Sequence, residues 1–397
     1  MKRSEVNREL LSPMMRQYME VKDNYQDVIL FYRIGDFYEM FFEDAYEISR
    51  VLELTLTGKN AGLKERIPMC GIPHHAANIY LEKLVDSGYK VAICEQVEDP
   101  KDAKGIVKRE VIRVVSKGTV MTDEMLDAKT NNFIGALRKL NDEYSLAYLD
   151  LSTGEFYCVL IDDDNNKIVN EILNDNIKEL VLYDSIDPKV LSALKDENGI
   201  IISHENNIEE IEEYKKLYED IVDVRLLSSI CLLLNYLNNG QKRSLEHLQK
   251  VIKKDYNTYL KMDCNTKRNL ELTENLRTKE RTYSLLWLLD KTKTAIGSRM
   301  LKSMIENPLV DKDKIENRYD MVSKLNEEFI LKDELKELLK EVYDLERLAG
   351  RISFGNANAR DLLQLKASLK VLPRIKEIIE ELKFNLVIDP LEDLYNY

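Results

Sequence analysis

The chain has 397 residues, with 58 Lys+Arg against 71 Asp+Glu and a formal net charge of −13. At 44% hydrophobic and 32% charged residues it is neither a disordered polyelectrolyte nor a disulfide scaffold, and its length allows about two to four domains. No apolar run approaches the ~20 residues of a membrane span, the N-terminal MKRSEVNRELLSPMMRQ lacks the apolar core of a secretory signal, and five scattered cysteines (Cys70, Cys94, Cys158, Cys231, Cys264) read as reduced thiols of a cytoplasmic protein.

The first third is close to neutral, with 18 basic and 19 acidic residues over 1–120, and reads as α/β. Ser12-Pro13 places a helix N-cap and a first-turn proline ahead of a helix to about Tyr25. The run VILFYRI over 28–34 is a strand apolar enough to be covered on both faces. Gly35-Asp36 interrupts it. A helix over 42–52, a short strand over 54–57, a polar loop over 58–65 and a helix over 74–87 ended by Gly88 follow. Strands over 89–97 and 107–115 flank the Asp99-Pro100 loop.

Residues 118–130 are polar and read as a linker. The middle third holds the excess acid, with 13 basic and 26 acidic residues over 121–250. It opens with strands over 133–140, 144–151 and 155–161, the last two joined by a Ser152-Thr153-Gly154 turn. Short apolar segments at 180–183 and 199–203 then alternate with helical stretches, and 226–237 is a strongly apolar helix. From about Thr266 the period is helical: 283–304, 312–325, 328–339 and 360–381 carry apolar residues at i, i+3, i+4, with Pro308 and Pro373 as punctuation. This third is balanced, 27 basic to 26 acidic. The outer thirds are thus open to a polyanion, whereas the middle third suits contact with another protein, or solubility alone.

The segment RIGDFYEMFFEDA, residues 33–45, holds the most chemistry. In extended backbone Phe37 and Glu39 share one face and Tyr38 takes the other. A ring and a carboxylate side by side after a Gly-Asp break form an unusual tip; a core Phe next to a solvated Glu is the plainer alternative.

FYRIGDFYEMFFEDA, LELTLTGKN, IPMCGIPHHAANIYLEKLV, GYKVAICEQVEDP and KREVIRVVSKGT occur in that order and resemble the N-terminal part of the MutS family of DNA mismatch-recognition proteins. LAYLDLSTGEF resembles the start of the family's connector domain. SLLWLLDKTKTAIGSRMLKSMIENPL and DLERLAGRISFGNANARDLLQLKASL resemble its lever domain. The resemblance implies an α/β mixed-sheet mismatch-recognition domain over 1–120, a linker over 121–130, an α/β RNase H-like connector over 131–250 and an all-α lever or core domain over 251–397. It also implies that the chain stops inside the lever, as a fragment, a truncated product or an incomplete gene model, leaving apolar helix surface uncovered.

By that resemblance Phe37 and Glu39 match the family's Phe-x-Glu pair. Phe37 would stack on a mispaired or unpaired base from the minor groove. The kink costs less where stacking is already lost, so selectivity is a difference in deformation energy. Glu39 lies near phosphates whose field favours a protonated carboxyl, which can donate to a base acceptor; an ionised Glu39 would penalise normal duplex. The intact GDFYEM points to the repair branch of the family.

Lys59, Lys64 and Arg66 in the polar loop ahead of Met69, together with Lys101, Lys104, Lys108, Arg109, Arg113 and Lys117, are candidates for phosphate contact; a solvated charge run is the plainer alternative. Lys108 and Arg109 face opposite ways, so only some of these can meet DNA. Cys70, His74, His75 and Cys94 have poor zinc spacing, and no metal is expected. Asp150, at a strand end, would be one acid of a nuclease site, which needs more than one. The acids between Glu209 and Glu213 read as a solvated helix face, or a docking face.

No G-x-x-x-x-G-K-[ST] occurs, so no P-loop ATPase is present and the chain is not expected to be an enzyme. ATP and Mg²⁺ are implied only for the family's C-terminal ABC-type ATPase, as is homodimerisation. The expected partners are mismatched double-stranded DNA and a MutL-type protein, without a membrane, in the bacterial cytoplasm at the nucleoid. The competing reading is an acidic connector that binds a protein partner without independent DNA recognition.

Overall fold

The computed structural model describes residues 2–98, 105–255 and 258–383. Its first sheet contains β1 (Ile29–Ile34), β2 (Phe37–Phe41), β3 (Thr57–Lys59), β4 (Ile67–Pro73), β5 (Val91–Gln96) and β6 (Arg109–Val115), in the order β3-β4-β2-β1-β5-β6. Only β1 and β5 pair in parallel; the other neighbours are antiparallel. Helix α1 (Pro13–Asp23) covers one face and helices α2 (Phe42–Val51) and α3 (Ala77–Asp86) the other. β1 is apolar on both faces for that reason: Leu30 and Tyr32 pack with Met15, Tyr18 and Met19 of α1, while Ile29 and Phe31 pack with Ile48 and Leu84. A buried ion pair, Lys22 to Asp44 at 2.8 Å, ties α1 to α2. Ser12 stands at the N-cap of α1, but its side chain makes no capping bond; its N–H donates to Ala61 O at 2.7 Å.

The short strand expected at 54–57 forms instead at β3, and β2 and β4 are additional. β4 contains Pro68, Gly71 and Pro73, which read as breakers, yet its Ile67 and its Cys70 and Ile72 are buried on opposite faces.

The second sheet runs β11-β10-β7-β8-β9-β12. β7 (Phe133–Leu140), β8 (Glu143–Asp150) and β9 (Phe156–Asp162) form an antiparallel meander, while β10 (Ile177–Leu182) and β11 (Ile201–His204) continue it in parallel from β7. Ile252–Lys253 adds β12 beside β9, so this sheet reaches into the stretch expected to be purely helical. Helices α4 (Asn165–Asn174) and α5 (Pro188–Ser192) pack on one face and α6 (Val224–Gln241) on the other.

Beyond one isolated bridge between Tyr259 and Leu309, the remaining described elements are helices: α7 (Cys264–Asn269), α8 (Leu285–Leu289), α9 (Ala295–Glu306), α10 (Lys312–Glu327), α11 (Phe329–Leu339), α12 (Leu345–Ser353) and α13 (Ala359–Glu381). The single helix expected over 283–304 is two. Asp290 accepts from Thr292 and Ser298 between them, and Thr294 caps α9 through Gly297 N–H, so local polar bonds end one helix and begin the next. Pro308 separates α9 from α10. Pro373 lies inside α13 without ending it; burial of Val371, Ile375 and Ile378 outweighs the one backbone bond it removes. Large apolar side chains stand exposed on this part, among them Tyr283, Leu288, Phe329 and Ile330.

The connection over 121–130 is fastened rather than free. Arg299 Nη1 donates to Ala128 O at 2.9 Å, Arg347 Nη2 to Thr130 O at 2.8 Å and Arg351 Nη1 to Asp123 Oδ1 at 2.5 Å. All three arginines are buried, and they supply partners that an irregular backbone cannot find in itself. Ahead of it, buried Glu179 of β10 accepts from Ser116 Oγ and Gly118 N, from Ser203 Oγ of β11 and from Tyr236 OH of α6. Lys90 of the first sheet donates to the same Ser203 Oγ at 2.6 Å, so one polar network joins the two sheets. No described helix is long and apolar enough to cross a membrane.

Candidate nucleic-acid interface

β1 and β2 are joined by Gly35-Asp36, with Ile34 opposite Phe37 in register. Gly35 has φ +57° and Asp36 does not share the left-handed region, the pattern of a two-residue hairpin with glycine at its first central position. His74 N–H donates to Asp36 O at 2.9 Å and its Nδ1 lies 3.2 Å from the same oxygen, which ties the turn to the end of β4. On the covered face Tyr38 OH donates to Glu95 Oε1, and Arg33 Nη1 lies 3.4 Å from the same oxygen. The turn is therefore braced from both neighbouring strands.

Phe37 begins β2 and is 47% exposed. That is unusual for a ring in a sheet whose next members Tyr38, Met40 and Phe41 are buried. Its register partner is Pro73, and Glu39 lies opposite Gly71. Beside Glu39 the neighbouring strand thus presents no side chain. A Cβ at Gly71 would stand 3.5 Å from Glu39 Cγ and 3.3 Å from Tyr38 O.

The structure brings a further expected residue to this face: Lys59, at the end of β3, donates its Nζ to Glu39 Oε2. Glu39 is therefore not a lone carboxylate in the free protein. Sequence spacing could not show this, because the two are brought together by β4 between them. Met69 is half-buried, opposite Phe41 and Thr57 in register, and its carbonyl accepts from Thr57 Oγ1 at 3.2 Å. Arg66 is exposed, with its stem packed at Gly58.

Arg109 is a correction. Its side chain turns inward: Nε donates to Arg33 O at 2.7 Å, Nη1 to Val107 O at 2.9 Å and to Gln17 Oε1 at 3.1 Å, and the guanidinium lies over the Tyr32 ring. At 8% exposure it braces α1 against the sheet and offers nothing to a phosphate. Lys108 points outward and pairs with Glu110 at 2.6 Å. Lys101 and Lys104 lie outside the described residues.

Cys70 and Cys94 lie in cores on opposite faces of the sheet, so they cannot ligate one ion, and burial pushes each thiol up to about 12. Asp150 is buried and accepts from Asn131 Nδ2, Asn132 N, Ser152 N and Ser152 Oγ at 2.7–3.2 Å. It holds the β8–β9 turn; the described residues contain no cluster of three or more His, Cys, Asp or Glu that could hold a metal.

Three family models match the chain: MutS domain I over residues 12–124, MutS domain II over 132–249 and MutS domain III over 265–395. The chain is 50% identical over 369 residues to the DNA mismatch repair protein MutS of Bacillus mycoides (strain KBAB4), covering 93% of this chain and 42% of that protein. The same name and identity hold for a protein of Bacillus cereus (strain G9842), covered over 41% of its length. The chain thus spans about two-fifths of the length of these curated relatives.

Proposed function

Because the chain belongs to the MutS family, we propose that its first α/β unit reads mispaired or unpaired bases in duplex DNA, with Phe37 as the wedge and Glu39 as the partner of the displaced base. The observation that carries this is the ring at the tip of a braced hairpin, 47% exposed, with the Glu39 carboxylate on the same face of the strand. A rigid aromatic wedge needs no base preference, since stacking is sequence-tolerant and worth roughly 1–3 kcal/mol per base. What differs among duplexes is the cost of opening a step, which is least where pairing is already broken.

In this reading residues 1–120 recognise the mismatch, 121–130 connect, 131–250 are the connector and 251–397 belong to the lever. The strand order of the second sheet, a three-stranded antiparallel meander continued by two parallel strands, supports an RNase H-like connector. Lys59, Arg66, Met69 and Lys108 are contact candidates on this sheet, Arg66 just beyond the end of β4 remote from Phe37 and its partner Pro73. ATP with Mg²⁺, a homodimer and a MutL-type partner belong to the proposed activity of the whole family protein, in the cytoplasm at the nucleoid.

The test is fluorescence anisotropy with a G·T or one-base-bulge duplex against the matched duplex. Phe37→Ala, an exposed position, should leave the melting temperature unchanged. It should reduce discrimination by about 5- to 150-fold, the equivalent of one lost stacking contact. Equal discrimination by wild type and Phe37→Ala would overturn the proposal.

A further inference from the structure

Glu39 poses a problem that Phe37 does not. A carboxylate carried next to the wedge meets the phosphates of every duplex, matched or mismatched, and is repelled by both. In the structure this charge has a built-in partner. Lys59 and Glu39 form an ion pair whose side chains are 24% and 14% exposed. The Lys59 ammonium also lies over the Phe41 ring, 5.6 Å from its centroid. Phe41 is in turn fixed edge-on against Tyr18 at 4.9 Å. The cation is therefore seated on packed core rather than held out in solvent, and the pair is more than a passing surface contact.

The other charged and titratable groups about Glu39 are engaged elsewhere. Tyr32, its register partner on β1, donates its hydroxyl to Gln17. Arg109 above Tyr32 is bound to Arg33 O, Val107 O and Gln17. Arg33 and Glu95 contact Tyr38 on the opposite face. His74 holds the carbonyl of Asp36 at the turn. β4 contributes only Gly71 opposite Glu39. Lys59 is the cation paired with Glu39 among the described residues.

We propose that Lys59 is a positioning and specificity-determining residue that acts through Glu39: it neutralises that carboxylate as the tip enters the groove, and it orients Glu39 toward the base. This rests on the reading of Phe37 and Glu39 as the mismatch-contacting pair. It differs from the role of a phosphate contact, which would weaken all duplexes alike and flatten the salt dependence.

The experiment measures anisotropy of a one-base-bulge and a matched duplex at several salt concentrations. The proteins are wild type, Lys59→Gln, Lys59→Arg, Glu39→Gln, the double variant Glu39→Gln/Lys59→Gln, and Phe37→Ala. Lys59→Gln should weaken bulge binding about tenfold, the equivalent of one pKa unit of charge stabilisation, without a change in salt slope. Glu39→Gln should abolish that loss, so that the double variant binds as Glu39→Gln alone does, and Lys59→Arg should bind as wild type does. A Lys59→Gln loss that adds to that of Glu39→Gln and lowers the salt slope by about 0.9 would overturn the proposal. The Phe37→Ala arm separates this failure from failure of the underlying reading: if discrimination survives without the ring, the tip itself is not the reader.

Discussion

Replacing Glu155 by Gln should make the protein more stable at alkaline pH, not less. Glu155 precedes β9 and accepts from Tyr157 OH at 3.2 Å. Burial, then the nearby carboxylates Glu346 and Asp150, push its carboxyl from the ordinary 4.5 up to about 7. In the unfolded chain it titrates near the ordinary value, so between about pH 4.5 and 7 the folded protein holds the extra proton. Unfolding free energy contributed by this group is therefore fully present below pH 4.5 and is lost as the pH rises through 7. The displacement from 4.5 to about 7 corresponds to about 3 kcal/mol, an upper bound for a half-buried group that water partly screens. Glu155→Gln keeps the acceptor for Tyr157 and removes the charge. Urea unfolding followed by far-UV circular dichroism should give the variant an advantage of up to about 3 kcal/mol at pH 8 that vanishes near pH 4.5. A difference between the two proteins that does not change with pH would refute the reasoning.

Arg109→Ala should lower the melting temperature by several degrees, from loss of a buried guanidinium worth roughly 2–4 kcal/mol, while leaving the salt slope of DNA binding unchanged; Arg66→Ala should do the reverse. Glu179→Ala removes the acceptor shared by Ser116, Ser203 and Tyr236 and should cost about 3–5 kcal/mol in chemical denaturation, with Glu179→Gln intermediate. Arg347→Met frees Thr130 O and should speed proteolytic cleavage within 121–130 several-fold, with little change in helix content by circular dichroism.

The α/β, α/β and helical order of the chain was readable because strands such as β1 and β7–β9 and helices such as α6 and α13 carry their period in consecutive residues. β2 and β4 were not readable. β2 is five residues long and begins at an exposed ring, and β4 has two prolines and a glycine; each is a strand because of its neighbours. The same holds for 283–304, where apolar spacing continues across a break made by Asp290 and Thr294.

Phe37 and Glu39 could be assigned to one face from alternation alone, since side chains in extended backbone reverse at every residue. The exposure of Phe37, and the pairing of Glu39 with Lys59, could not. Nor could the fates of the cations: Lys59, Lys108 and Arg109 are equivalent as letters, yet one neutralises Glu39, one pairs with its neighbour in water and one is buried under α1. Periodicity is a local property and survives in the unfolded chain. Which charge meets which depends on strands far apart in the chain being aligned side by side, and that alignment exists only once the sheet has formed.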